Sequence, residues 1–318
     1  MTDIAKSPAL GIFWAAVSVF CWGTLFPAVS FLLKRGNVDC YTMAQVRFLT
    51  AGVCMLAMVT LKERRSPWRG LSAGDFLHLA AQSIFAAAMS GLLFFGQSFG
   101  IPVVNASMLE AEAPILIFLL SIFILKEKPN FLQTLGLLLG FAGSMLVLRA
   151  IGKEGIAITS INFGDAMVFA GATSWAFYTV LANRTIKKLG GLLYTAWSVL
   201  FAGIWILLFQ IAFRFHLSYP VEWADIAATF YLGLIPTALA FFAWNNAQYY
   251  ISPGLLGISG YFTPMLTALL GWLCFGEEVT LFQVAGMILV VGAALIEPEI
   301  SALLCRKKKL SLSGSQAK

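Results

Sequence analysis

The 318-residue sequence is poor in charge: 11% of its residues are Asp, Glu, Lys or Arg, against about 25% in a soluble domain. Long charged segments between its apolar runs are missing, which excludes a large soluble core with a hydrated surface. Histidine is nearly absent; His78 and His216 are far apart in the chain. A membrane-embedded transferase would place His/Asp clusters or metal-ligand spacings at an interface, and neither pattern occurs. The five cysteines, Cys21, Cys40, Cys54, Cys274 and Cys305, are scattered and form no CxxC. They imply no disulfide framework and no metal site. A GxxxxGK[ST] phosphate loop is also missing, so nucleotide-driven pumping by the chain itself is excluded. No cofactor is expected.

What the sequence does have is apolar length. Hydrophobic residues make up 59% of it, and its mean hydropathy is +0.84. Runs able to cross a bilayer, which takes about 17–25 residues, recur near 10–32, 41–61, 76–98, 103–125, 131–148, 164–183, 192–213, 224–248, 254–275 and 280–297. Lipid offers the backbone no hydrogen-bond partners, so such runs are helical; a barrel would show short alternating segments instead. The expectation is an all-α integral membrane protein of ten transmembrane helices with short loops. The first run, from Leu10 to Leu33, exceeds a signal-peptide core of about 7–15 residues and reads as a retained helix.

Ten spans put both termini on one side. That side carries fifteen Lys and Arg, including the run Arg306–Lys309, against five on the other, with Arg47 inside a span. The positive-inside rule then puts both termini in the cytoplasm, in what reads as a bacterial inner membrane. The basic tail faces anionic lipid, and the net charge of +6 needs no nucleic acid to explain it.

The chain repeats itself. At an offset of 150 residues, Pro114 falls on Pro264, Leu116 on Leu266, Glu127 on Glu277, Gln133 on Gln283 and Gly136 on Gly286. At an offset of 153, Gly11 and Trp22 fall on Gly164 and Trp175. Asn130 and Thr280 each precede a glutamine by three residues, which predicts an N-cap and capping box at the start of the fifth and tenth helices. Glu127 and Glu277 fall in the turns just before, near the positive ends of those helices, and read as structural. Each half holds an odd number of spans, so the second enters the membrane upside down. Inverted repeats of this kind are the architecture of secondary transporters, whose site lies near the midplane between the halves. The expected units are 9–148, a connecting loop 149–162, 163–297, and the basic tail 298–318.

The opening from Gly11 to Trp22, Arg47 in the second span and the stretch SMLEAEAPILIFLLSIFILKEKPNFLQTLGLLLGFAGSMLVL over residues 107–148, with its partner in the second half, resemble the EamA family of the drug/metabolite transporter superfamily. The resemblance implies ten helices around a central cavity, alternating access without ATP hydrolysis, and export of amino acids, other metabolites or drugs. One departure stands out. Leu109-Glu110-Ala111-Glu112-Ala113 precedes Pro114 where the family pattern is small or apolar, which raises the prospect of a substrate-specific site.

Ionisable groups inside spans are functional candidates by default, since each costs several kcal/mol unless paired or wetted. Glu110 and Glu112 lie about 12 and 15 Å along the fourth helix from Pro102, at about 1.5 Å per residue, and about 200° apart around it. Glu112 shares a face with Asn105 and Met108, which makes it the first choice for a cavity-lining or proton-coupling carboxylate. Arg47, about 9 Å into its span, is a partner for either carboxylate or a clamp for a substrate carboxylate. Trp22, Trp175, Tyr178, Asn245, Asn246 and Tyr261 are further binding candidates, because a small organic solute needs an apolar pocket with a few polar groups. Pro27, Pro114 and Pro264 interrupt helices and are hinge candidates. Gly136, Gly140 and Gly143 suit close helix packing within the fold rather than a dimer face, in keeping with a monomer.

The functional expectation is a secondary transporter exporting a small metabolite, an amino acid or related amphipathic solute, with the proton as a possible coupling ion. The alternatives are an uptake permease and a membrane-embedded lipid-modifying enzyme.

Overall fold

The computed structural model describes residues 7–64, 66–97, 99, 109–148, 151–152, 155–156, 162–215, 217–276 and 279–296. Pro102, Asn105, Met108, His216, Glu277 and the basic tail, all used above, lie outside the described residues. The helices of the first half are α1 (Pro8–Gly23), α2 (Leu25–Arg35), α3 (Cys40–Glu63), α4 (Ala73–Gln97), α5 (Ala113–Leu120) and α6 (Phe131–Val147). Those of the second are α7 (Phe163–Leu189), α8 (Gly191–Ala212), α9 (Trp223–Gly233), α10 (Ala240–Ala247), α11 (Pro253–Ser259), α12 (Phe262–Phe275) and α13 (Leu281–Ile296). A short antiparallel ladder, Ile151–Gly152 with Gly155–Ile156, departs from the all-α expectation, in the segment expected to be a loop.

Among the described residues, six helical runs are long and apolar enough to cross a membrane: Pro8–Arg35, Cys40–Lys62, Ala73–Leu93, Gly191–Ala212, Trp223–Ala247 and Pro253–Leu273. Ala113–Leu125, Phe131–Val147 and Leu281–Ile296 are apolar but shorter. The first of these starts late because the run breaks at Ala111–Glu112. The long α7 is diluted by Asp165, Arg184, Lys187 and Lys188.

The surface is inverted relative to a water-soluble protein. Leu61, Leu77, Phe131 and Leu281 are 73–87% exposed on the outside, while Arg47, Gln82, Ser83, Ser90, Thr195, Ser198 and Asn245 are buried within. Water would penalise so much contiguous apolar surface, whereas lipid favours it. The chain is an integral membrane protein.

Proline explains where the long runs break. It lacks the N–H that would bond the carbonyl four residues upstream, and its ring crowds that carbonyl. The first run breaks at Thr24, before Pro27. The fourth breaks at Ala111–Glu112, before Pro114, and the ninth at Gly260–Tyr261, before Pro264. Each proline sits in the first turn of the helix that follows, where the missing donor costs nothing. Each break is closed by a tight turn: Thr24 N donates to Cys21 O at 3.3 Å, Glu112 N to Leu109 O at 3.3 Å and Tyr261 N to Ile258 O at 3.3 Å. Between α9 and α10, Pro236 lies in a π-helical segment, Leu234–Leu239. The carbonyl it leaves free, that of Leu232, accepts instead from Thr237 Oγ1 at 2.7 Å.

Both predicted capping boxes form. Gln133 N donates to Asn130 Oδ1 at 2.9 Å and Asn130 N to Gln133 Oε1 at 3.1 Å; Gln283 N donates to Thr280 Oγ1 at 3.3 Å and Thr280 N to Gln283 Oε1 at 3.0 Å. Glu127 sits in its turn, with its N donating to Ser121 O at 3.2 Å, and its carboxylate lies against Gly254 at the start of α11.

The two halves are joined through paired helices. Helix α3 packs along α8, α4 along α7, α1 along α10, and α6 along α13. Small residues set the closest crossings. A Cβ on Gly52 would lie 2.6 Å from Leu200 Cα, and one on Gly203 would lie 2.8 Å from Leu49. In the second crossing a Cβ on Gly143 would meet Gly286 O at 2.7 Å, and one on Gly136 would meet Ala293 O at 3.0 Å. In both crossings rising numbers on one helix meet falling numbers on the other, so both helix pairs run antiparallel.

Candidate functional site

The innermost aromatic residues come from α1, α7 and α10. Trp22 and Trp175 meet edge to face, with ring centroids 5.3 Å apart. Trp244 lies 5.1 Å from Trp22 and 5.5 Å from Trp175. Phe241 closes the group at 6.0 Å from Trp22 and 5.4 Å from Trp175. Trp244 and Phe241 are fully enclosed, whereas Trp22 and Trp175 stay partly exposed. Such edge-to-face pairs add about 0.5–1.5 kcal/mol beyond their burial. The cluster is therefore a rigid wall with two tryptophans facing accessible space.

A polar network backs this wall. Asn245 Nδ2 donates to Tyr178 Oη at 2.8 Å and to Thr195 Oγ1 at 3.0 Å. The Tyr178 and Ser198 hydroxyls lie 3.1 Å apart. Trp244 Nε1 donates to Thr179 Oγ1 at 3.1 Å. The sequence-derived candidates Trp22, Trp175, Tyr178 and Asn245 are thus brought together. Tyr178 stacks on Trp175 at 5.3 Å. Tyr178 and Asn245 are buried and mutually bonded, so they hold the wall in place rather than face a solute. Asn246 is not part of this group: it packs against Gly191 at the start of α8.

Arg47 lies in α3, one residue before Phe48, whose ring it covers at 5.0 Å. Phe48 in turn touches Phe241 at 5.4 Å, which ties Arg47 to the aromatic wall. The guanidinium is 7% exposed as a residue. Its Nη2 donates to Ser90 Oγ at 2.9 Å, and its Nε has no hydrogen-bond partner among the described residues. Arg47 and Glu110 are close enough to interact electrostatically. Glu112, at the N-cap of α5 beyond the break, lies on the side of Tyr261 instead. The two carboxylates therefore diverge across the break at Ala111–Glu112, and it is Glu110 that lies within electrostatic reach of Arg47.

Tyr261 is buried against Phe118, Leu137, Ile258 and Val290, and its ring fills the space beside Gly140. It belongs to the packing between α12 and α6, away from the tryptophan wall. The hinge candidates Pro27, Pro114 and Pro264 each follow a helix break, as described above. Pro236 and its partner Thr237 were missed by sequence reasoning, although a proline in mid-span is a visible signal.

Comparison with known proteins gives the same family along nearly the whole length. The model of the EamA-like transporter family matches residues 9–149 and 162–296. The chain is 26% identical over 282 residues to the uncharacterized transporter YyaM of Bacillus subtilis, covering 86% of this chain and 90% of that protein. It is 27% identical over 307 residues to a probable terminal-alkyne amino-acid exporter of Streptantibioticus cattleyicolor, covering 95% and 97%. A crystal structure with 22% identity superposes with a TM-score of 0.77, over 95% of this chain and 99% of its own.

Proposed function

The chain belongs to the EamA-like transporter family, and from that premise we propose that it is a secondary transporter exporting a small amphipathic metabolite of the amino-acid type. The observation that carries this reading is Arg47: a buried guanidinium with an unpartnered Nε, in the field of Glu110, beside an aromatic wall. A planar guanidinium suits a solute carboxylate, Glu110 suits an ammonium group, and Trp22 and Trp175 suit an apolar side chain. The exporter relative from Streptantibioticus cattleyicolor supports the same solute class.

The reading includes ten spans in two inverted five-helix units, residues 9–148 and 163–297, joined by 149–162 and followed by a basic cytoplasmic tail, 298–318. Two features support it. Helices start at matching positions: Cys40 and Gly191 at an offset of 151, Ala73 and Trp223 at 150, Phe131 and Leu281 at 150. The antiparallel crossings are also reciprocal. The offset of 151 that relates Gly52 to Gly203 relates Leu49 to Leu200, and each glycine packs on the other's leucine. A two-fold axis in the membrane plane produces this pattern. Alternating access then rocks one set of helices against the other, with the breaks before Pro27, Pro114 and Pro264 as hinges. Glu110 is the first choice for a coupling proton and Glu112 the second.

Solute counterflow tests the reading. Purified full-length protein in proteoliposomes preloaded with a neutral amino acid should accumulate the labelled solute, and empty liposomes should not. An imposed pH gradient should drive net flux if a proton is coupled. Lack of counterflow with every neutral, aromatic and branched amino acid would overturn the solute class.

A further inference from the structure

Two ion pairs at helix ends are related by the same repeat. In one, Arg35 at the end of α2 bonds through Nε to Asp225 and through Nη2 to Glu222, at the start of α9. In the other, Lys188 near the end of α7 bonds Asp75 at the start of α4, at 2.5 Å. The offset of 153 that carries Trp22 onto Trp175 carries Arg35 onto Lys188, and the offset of 150 that carries Pro114 onto Pro264 carries Asp75 onto Asp225. Each pair thus ties the end of one half's first span to the start of the other half's third span. Under the inverted-repeat reading, on which this inference rests, the two pairs lie on opposite faces of the membrane.

The pairs are equivalent in place but unequal in strength. Asp225 is completely buried and Arg35 is 30% exposed by side chain. Asp225 also accepts from Asn37 Nδ2 at 2.8 Å, and Arg35 lies over the Phe31 ring at 5.6 Å. Lys188 makes a single contact with its side chain 64% exposed. It borders a cleft of about 290 Å³ lined by Asp75, His78, Arg184, Thr185, Lys188 and Leu189. An exposed lysine pair is weak because water competes for both charges. An arginine held by two carboxylates, one of them buried and also bonded by an amide, is a stronger tie.

We propose that these pairs are matched latches of the transport cycle, one per face, and that their inequality sets the resting state. The Arg35 latch holds the extracytoplasmic face shut, and the Lys188 latch yields first, so the unloaded protein samples opening to the cytoplasm. That bias suits an exporter, which loads its solute from the cytoplasm. Arg35, Asp225, Lys188 and Asp75 are positioning residues; they touch no solute.

Hydrogen–deuterium exchange on the full-length protein in lipid nanodiscs tests this. Residues 34–42 and 217–226 report one face, and residues 70–78 and 184–192 the other. Asp225→Asn should raise exchange on the first face on the order of tenfold, and Glu222→Gln should raise it less. Asp75→Asn should raise exchange on the second face by at most about fivefold. The charge swap Arg35→Asp with Asp225→Arg should restore protection toward that of the unmodified chain. A larger effect from Asp75→Asn, or no change in folded Asp225→Asn and Glu222→Gln proteins, overturns the unequal latches. Sidedness is read separately in a cysteine-free background. Val221→Cys and Arg69→Cys, labelled in intact cells with a membrane-impermeant maleimide, should react from opposite sides. Labelling from the same side overturns the inverted-repeat reading and the latches with it. Opposite sides without the exchange difference overturn the latches alone.

Discussion

Gly143 of α6 lies so close to Gly286 of α13 that a Cβ on either would fall within 2.7 Å of the other's carbonyl oxygen. Nothing but hydrogen fits between the two backbones. The GxxxG-like spacing of Gly136, Gly140 and Gly143 is therefore consumed inside the chain, against α13 and Tyr261.

Gly143→Ala should lower stability by about 1–3 kcal/mol, the usual cost of overpacking a tight contact. Gly292→Ala, on α13 with open space around its position, should be neutral or stabilise by up to about 1 kcal/mol through helix propensity. Thermal melts of the two purified variants in the same detergent, followed by tryptophan fluorescence, check the contrast. A melt of Gly143→Ala above that of Gly292→Ala would contradict the crossing.

Thr237→Val keeps the shape of the side chain and removes its hydroxyl. The Leu232 carbonyl, already without its usual donor because of Pro236, then has none in a buried setting. The expected cost is about 1–3 kcal/mol. Ser→Ala at an exposed position outside any helix cap, such as Ser66, should cost far less, and the same melts compare them.

Asn245→Leu should separate structure from solute binding. It removes the donors to Tyr178 and Thr195, which keep Ser198 and the Gly191 carbonyl, and the acceptor of Gln248 Nε2, at a total cost of about 1–3 kcal/mol. The prediction is a protein of lower melting temperature with a mainly unchanged KM. A large rise in KM with unchanged stability would make Asn245 a binding residue instead.

Much of this was legible in the sequence, for local reasons. Apolar length marks the spans, proline marks the breaks, and Asn130–Gln133 and Thr280–Gln283 mark helix starts, because each signal acts over a few residues. Trp22 and Trp175 were legible as partners through the repeat. Three things were not. Helical spacing separates Glu110 from Glu112 but does not say which of them meets Arg47, since that depends on how α3 and the fourth span are rotated against each other. The pair of Arg35 and Asp225 joins residues 190 apart, and counting Lys and Arg along loops records Arg35 only as a sidedness signal. Tyr178 and Asn245 looked like site residues because polar groups in apolar helices draw attention, yet they satisfy each other in the packing behind the wall.

The central claim is that Arg47 and Glu110 recognise the solute. The direct measurement is counterflow of a labelled neutral amino acid in proteoliposomes, with the unmodified chain, Arg47→Lys and Glu110→Gln reconstituted at equal density. Lysine keeps the charge but loses the planar fork, so Arg47→Lys should raise KM about tenfold or more. Glu110→Gln should lose the ammonium partner, raise KM for the amino acid and spare a solute that lacks the amine. Both variants should elute as folded monodisperse protein. Unchanged KM values in both variants, with full folding, would contradict the account.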